Sequence, residues 1–148
     1  MPAAVLDTNA VSDLMRDNAQ LKTNVANYAD RIVTSAVVVG EIRYGLGRLP
    51  LGKKRSDLEA RASAVFAAMA IEPVTESIAE FYGRLKASLE GQGLNLDDND
   101  LWIASTAMSG GGIVITRDRS SRRFLASKSR IGASEHVDAE TLITRFEE

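Results

Sequence analysis

The chain has 148 residues, 45% hydrophobic and 26% charged, with a formal net charge of -2; that is enough for one core in one domain over residues 1–148, and too little for two. No apolar run approaches the length of a bilayer span and the N-terminus has no signal-peptide pattern, so a cytoplasmic protein with no membrane association is expected. The absence of cysteine excludes disulfide and thiolate chemistry, and a single histidine, His136, excludes two-histidine mechanisms and disfavours zinc, which leaves carboxylate and hydroxyl oxygens, ligands that suit hard ions such as magnesium and manganese.

The first element is the apolar run Ala3-Ala4-Val5-Leu6, which reads as a strand buried on both faces. Asp7-Thr8-Asn9 follow at its carboxyl end, the place where open α/β sheets bind ligands. The simpler role for Asp7 or Asn9 is an N-cap for the helix expected over Ala10 to Met15. A second helical piece is expected over Gln20 to Tyr28, and Ile32-Val33-Thr34 reads as a short strand. Ser35 can cap a helix from about Val37 to Leu46, on which Val38, Ile42 and Gly45 share a face with Glu41. An acid on the buried side of a helix is costly unless something positive meets it, and an ion pair with Arg43, Arg48 or another basic group is the structural alternative.

Leu49 to Arg55 is expected to be a loop, followed by an amphipathic helix over Asp57 to Met69. Ile71-Glu72-Pro73-Val74 reads as an edge strand, because Pro73 cannot donate to a ladder. Glu76 to Gln92 is a further amphipathic helix, ended by Gly91 and Gly93. The acid-rich turn Asp97-Asp98-Asn99-Asp100 feeds an apolar helix over Leu101 to Met108. Asp97, Asp98 or Asn99 can cap that helix, whereas Asp100 begins its buried stripe with Ile103, Ala104 and Ala107. Ile113-Val114-Ile115-Thr116 is a second buried strand that runs into an acid, Asp118. A last helix is expected over Ala139 to Phe146, capped by Asp138. Strands alternating with helices predict an α/β fold around a parallel sheet.

Charge is unevenly placed. Arg117, Arg119, Arg122, Arg123, Lys128 and Arg130 surround the lone acid Asp118, and Arg43, Arg48, Lys53, Lys54, Arg55 and Arg61 form another basic stretch. Such stretches in an acidic chain form either a phosphate-binding surface or plain solvated faces. If Asp7, Glu41, Asp100 and Asp118 converge, their repulsion destabilises the fold unless a divalent cation offsets it. Magnesium is held by few carboxylates and acidifies water, so phosphodiester hydrolysis needs no histidine.

These residues carry a resemblance. Val5-Leu6-Asp7-Thr8-Asn9, Thr34-Ser35 through Gly40-Glu41-Ile42 with Tyr44-Gly45, Asn99-Asp100-Leu101-Trp102-Ile103-Ala104, and Val114-Ile115-Thr116-Arg117-Asp118 stand in the order and spacing of a PIN domain. The set resembles most closely the VapC-type toxin ribonucleases of bacterial toxin–antitoxin pairs. The resemblance implies an αβα sandwich around a parallel sheet and an endoribonuclease that depends on Mg²⁺ or Mn²⁺. It implies an acidic quartet of Asp7, Glu41, Asp100 and Asp118 as catalytic residues and metal ligands, with Asn9 and Thr116 in support. Asp97, one turn before Asp100, is either a further supporting group or a cap. Arg117, Arg119, Arg122 and Arg123 are the RNA-binding candidates, and loops of transfer or ribosomal RNA the candidate substrates. A homodimer and a cognate VapB-type antitoxin are the implied partners. Phe124 falls later than the family pattern places its phenylalanine.

Two rivals stand beside this reading. In one, the chain is a non-catalytic RNA- or protein-binding module with its acids in structural salt bridges. In the other, Asp7 is a phospho-acceptor of a receiver-like protein; that requires a well-placed late lysine, and Lys128 is the only lysine after Asp118.

Overall fold

The computed structural model describes residues 4–16, 31–110 and 112–115, together with the backbone pairing of residues 143 and 144. The order of elements is β1 (Ala4–Leu6), α1 (Thr8–Met15), β2 (Ile32–Ser35), α2 (Ala36–Gly47), α3 (Lys53–Ala67), β3 (Ala70–Glu72), α4 (Glu76–Gly91), α5 (Asp98–Ser109), β4 (Ile113–Ile115) and β5 (Ile143–Thr144). The expected helix over Gln20 to Tyr28 and the stretch from Thr116 through Arg130, with Asp118 and its arginines, lie outside the described residues.

The sheet has five strands in the order β3-β2-β1-β4-β5, and every neighbouring pair is parallel. Helices flank it, as expected of an α/β sandwich around a parallel sheet. The first strand of the chain is therefore at the centre. Val5 pairs with Val33 on one side and Val114 on the other. A strand with two ladders and two covered faces must be apolar throughout, and Ala4, Val5 and Leu6 are all at most 2% exposed. Burying a side chain such as Leu6 contributes about 1.5–3 kcal/mol. The edge strand β3 is the opposite case. Ala70 and Ile71 are exposed, and Pro73 stands just past its end.

The helices add Val11 and Met15 from α1, Val38, Ile42 and Leu46 from α2, and Ala62 and Phe66 from α3 to one core cluster, which also includes Leu85 and Leu89 from α4. On α5 the burial runs almost all round, and two hydroxyls lie on it. Ser105 donates to the Leu101 carbonyl and Thr106 to that of Trp102, at 2.6 and 2.8 Å, which removes the cost of burying them. Arg61 on α3 donates to the Met15 carbonyl at the end of α1 (3.2 Å), tying the two helices at a point where helical carbonyls lack partners.

Two expectations are corrected. The helix expected from Asp57 starts at Lys53. Gly52 is its N-cap residue, with a φ of 152° and no side chain to cap with; its carbonyl accepts from the Ser56 N–H at 3.0 Å. The basic residues Lys53, Lys54 and Arg55 are thus helical, and Arg55 pairs with Glu59 one turn on. Within the span expected as a helix, Ala139 to Phe146, residues Ile143 and Thr144 form β5 and pair with Val114 and Ile115; the rest of that span, with Asp138, lies outside the described residues. Ile143 and Thr144 are β-branched residues that fit a pleated edge better than a helix.

Candidate active site

The site is built at the carboxyl edge of the sheet. Asp7 continues the β1 ladder for one more bond, its N–H donating to the Ile115 carbonyl at 3.1 Å. There the chain turns into α1. Asp7 is the N-cap of that helix, and its Oδ1 accepts from the Ala10 N–H at 2.8 Å. The cap reading of Asp7 and its position at the sheet rim are thus both fulfilled by one carboxylate, held 7% exposed. On the adjacent strand, Thr34 donates its hydroxyl proton to the Leu6 carbonyl at 2.8 Å, bracing the residue before Asp7.

Glu41 approaches from α2. Ser35 caps that helix as expected, its hydroxyl oxygen accepting from the Val37 N–H at 3.1 Å. The helix buries Val38, Ile42 and Leu46, and Gly45 is exposed. This orientation leaves Glu41 half-buried and directs it at α1. Its partner is neither Arg43 nor Arg48. Thr8, the residue after Asp7, donates its hydroxyl proton to Glu41 Oε2 at 2.8 Å. Arg43 turns instead to Ser63 and the Phe66 ring, and Arg48 lies over Tyr44.

Asp100 is half-buried in the first turn of α5, a helix that packs against both β1 and α2. Three of the four expected acids therefore sit on or next to elements that pack against one another. Asp118 lies outside the described residues, as do Thr116, Arg117, Arg119, Arg122 and Arg123. Asn9 is exposed on the first turn of α1. Asp97 is the N-cap of α5, accepting from the Asn99 N–H at 2.9 Å.

The start of α5 is anchored from α4. Lys86 and Tyr82 both reach Asp98 Oδ1 at 2.8 Å, and Tyr82 stacks on Trp102 with ring centroids 3.8 Å apart. The Lys86 ammonium, with help from the Tyr82 hydroxyl, holds the Asp98 carboxyl below the usual carboxylate range. The same bond to Asp98 pushes the Lys86 ammonium up.

One residue at the site, Thr8, and one buried acid, Asp13, have no counterpart among the sequence expectations. Thr8 carried no assigned role, although its place between Asp7 and Asn9 was a signal. Asp13 is a further acid on α1, 6% exposed, whose spacing of three from the buried Ala10 marks it as inward.

Among the described residues no three His, Cys, Asp or Glu side chains form a group that could hold a metal. The donors around the end of β1 are all oxygens, and one or two carboxylates with retained waters is the usual way magnesium is held. Asp7 and Glu41 supply carboxylates of that type, with Glu41 bonded to the residue after Asp7. No described helix is long and apolar enough to cross a membrane.

The family model for the PIN domain matches residues 4–124. The chain is 34% identical over 122 residues to the VapC ribonuclease Y4jK of Sinorhizobium fredii, covering 78% of this chain and 87% of that protein. It is 32% identical over 119 residues to ribonuclease VapC5 of Mycobacterium tuberculosis, covering 78% and 83%. Among solved structures, a chain of the VapBC-5 toxin–antitoxin complex from Mycobacterium tuberculosis superposes with a TM-score of 0.68 at 29% identity, covering 98% of this chain and all of that one. With the matched segment running from β1 past β4, the chain belongs to the PIN-domain family, on the VapC-type branch.

Proposed function

We propose that the protein is the endoribonuclease toxin of a toxin–antitoxin module, a single PIN domain that hydrolyses phosphodiester bonds in RNA with Mg²⁺ or Mn²⁺. The observation that carries this reading is the bond from Thr8 to Glu41, which brings an acid from α2 to the residue beside Asp7 at the carboxyl edge of the sheet. The names of the relatives, VapC ribonucleases, support the substrate class. In this reading Asp7, Glu41, Asp100 and Asp118 hold the cation, and Asn9 and Thr116 support them. A bound divalent cation supplies an acidified water and offsets charge on the phosphodiester. Asp7 contributes a carboxylate fixed by the helix cap, and Glu41 one fixed by Thr8. Arg117, Arg119, Arg122 and Arg123 follow β4 and hold the RNA backbone. Exposed loops of transfer or ribosomal RNA are the fitting substrates, because unstacked bases are accessible there. A VapB-type antitoxin is the inhibiting partner, in keeping with the toxin–antitoxin complex whose chain this one resembles. The protein acts in the cytoplasm as a homodimer.

The test is cleavage of total RNA by purified protein with Mn²⁺ and with excess EDTA. Cleavage in Mn²⁺ that EDTA and Asp7→Asn both abolish is the expected result. Equal cleavage in EDTA overturns the metal mechanism.

A further inference from the structure

Thr8 is the first residue of α1, a position that does not need its hydroxyl. The cap is already supplied by Asp7, whose Oδ1 takes the Ala10 N–H. Threonine is also a poor helix former, since its branched side chain loses rotamer freedom. The hydroxyl is directed instead across 33 residues of sequence to Glu41 Oε2, at 2.8 Å. We infer that Thr8 is a positioning residue: its hydroxyl fixes the Glu41 carboxylate at the residue after Asp7, in the orientation that accepts a divalent cation. The inference rests on the metal-dependent reading above.

The physical argument is one of rotamers and valence. A glutamate has three side-chain torsions, and from a half-buried place on α2 its carboxylate can swing through several staggered positions. One hydroxyl has one proton to donate, and that proton goes to Oε2. The torsions are thereby fixed while Oε1 is left out of this bond. The donor is neutral, so the negative charge on Glu41 is not cancelled as a lysine or arginine would cancel it. A ligand pre-set in this way avoids the ordering cost when the cation arrives, and loss of such outer partners typically lowers metal affinity by about 10–100-fold.

The experiment measures Mn²⁺ binding by calorimetry without RNA, alongside RNA cleavage, for the wild type, Thr8→Val, Thr8→Ser and Glu41→Gln. Thr8→Val keeps the shape and removes the proton; Thr8→Ala serves in its place should Thr8→Val not fold. The expected result is an Mn²⁺ dissociation constant about 10–100-fold weaker in Thr8→Val, recovered in Thr8→Ser, with no added loss when Thr8→Val is combined with Glu41→Gln. A merely structural threonine lowers thermal stability in EDTA and leaves the Mn²⁺ constant unchanged; that outcome, with a wild type that binds Mn²⁺, overturns the role of Thr8 alone. A wild type that neither binds Mn²⁺ nor cleaves RNA overturns the metal reading and Thr8's role with it.

Discussion

Glu41 and Asp98 each accept a hydrogen bond from a neighbouring helix at the same distance, 2.8 Å, yet their surroundings differ in every other respect. Glu41 is half-buried and takes its bond from a neutral hydroxyl. Asp98 is exposed and takes its bonds from an ammonium and a phenol, beside a stacked pair of rings. At Asp98 the opposite charge is already present, so the acid is spent on joining α4 to α5. At Glu41, among the described residues, geometry is fixed and charge is left over. The comparison separates an acid that braces from an acid prepared for a cation, a distinction that the presence of a carboxylate in a motif does not make.

The sharpest way to break this contrast is to neutralise each acid without changing its shape. Glu41→Gln retains an acceptor for Thr8 and should melt near the wild type, while RNA cleavage falls by at least about 100-fold, the upper range for disturbing a metal shell. Asp98→Asn should do the reverse, with cleavage unchanged and a small drop in melting temperature. Equal loss of activity in both would mean the two acids serve the same site. Asp7→Asn belongs with Glu41→Gln: asparagine caps nearly as well as aspartate, so circular dichroism should report an intact fold beside lost cleavage.

Next in size is the ring pair. Trp102→Ala removes a half-buried indole and its stack on Tyr82, for an expected loss of about 2 kcal/mol in urea unfolding, between a stacking contribution alone and the cost of a fully buried aromatic. Mn²⁺ affinity should not follow; if it did, the brace would reach the acidic site.

The smallest effect is the Lys86–Asp98 pair, read by pH. Asp98 is held below its ordinary value of 3.8, so its contribution is fully present above pH 3.8 and is lost as pH falls through the lowered folded value. Lys86 is raised above 10.5, so its contribution is present below pH 10.5 and is lost only as pH climbs through the raised value. Lys86→Met should therefore melt slightly below the wild type at pH 7, with the gap closing in acid below pH 3.8. Screening makes any such surface pair modest, and a gap that persists in acid would assign it to packing of the lysine stem.

Much of this architecture was legible in the residues. The run into Asp7 reads as a doubly covered strand because nothing polar interrupts it. Ser35 reads as a cap, and Pro73 marks an edge. On the amphipathic helix expected over Glu76 to Gln92, Ile78, Tyr82, Leu85 and Leu89 follow the helical period; Ile78, Leu85 and Leu89 are buried and Tyr82 is half-buried. The failures have a common cause in interactions distant along the chain. The start of α3 at Lys53 carries no capping side chain to signal it. The strand at Ile143–Thr144 exists through its pairing with β4, which no local pattern contains. For Glu41, an ion pair with a nearby basic group stood beside membership of the acidic quartet; the structure gives it a hydroxyl partner, Thr8, from the preceding motif. Placement of the acids was readable; the hydrogen bonds that distinguish their roles were not.

The central position of β1 has a consequence for synthesis. One of its neighbours, β2, emerges early from the ribosome, but the other, β4, is made of residues 113–115. Until those residues emerge, the nascent strand has one unpaired flank, and Asp7 lacks the carbonyl of Ile115 that its N–H engages. A prematurely terminated product therefore presents an incomplete sheet with an unpaired edge rather than a folded domain.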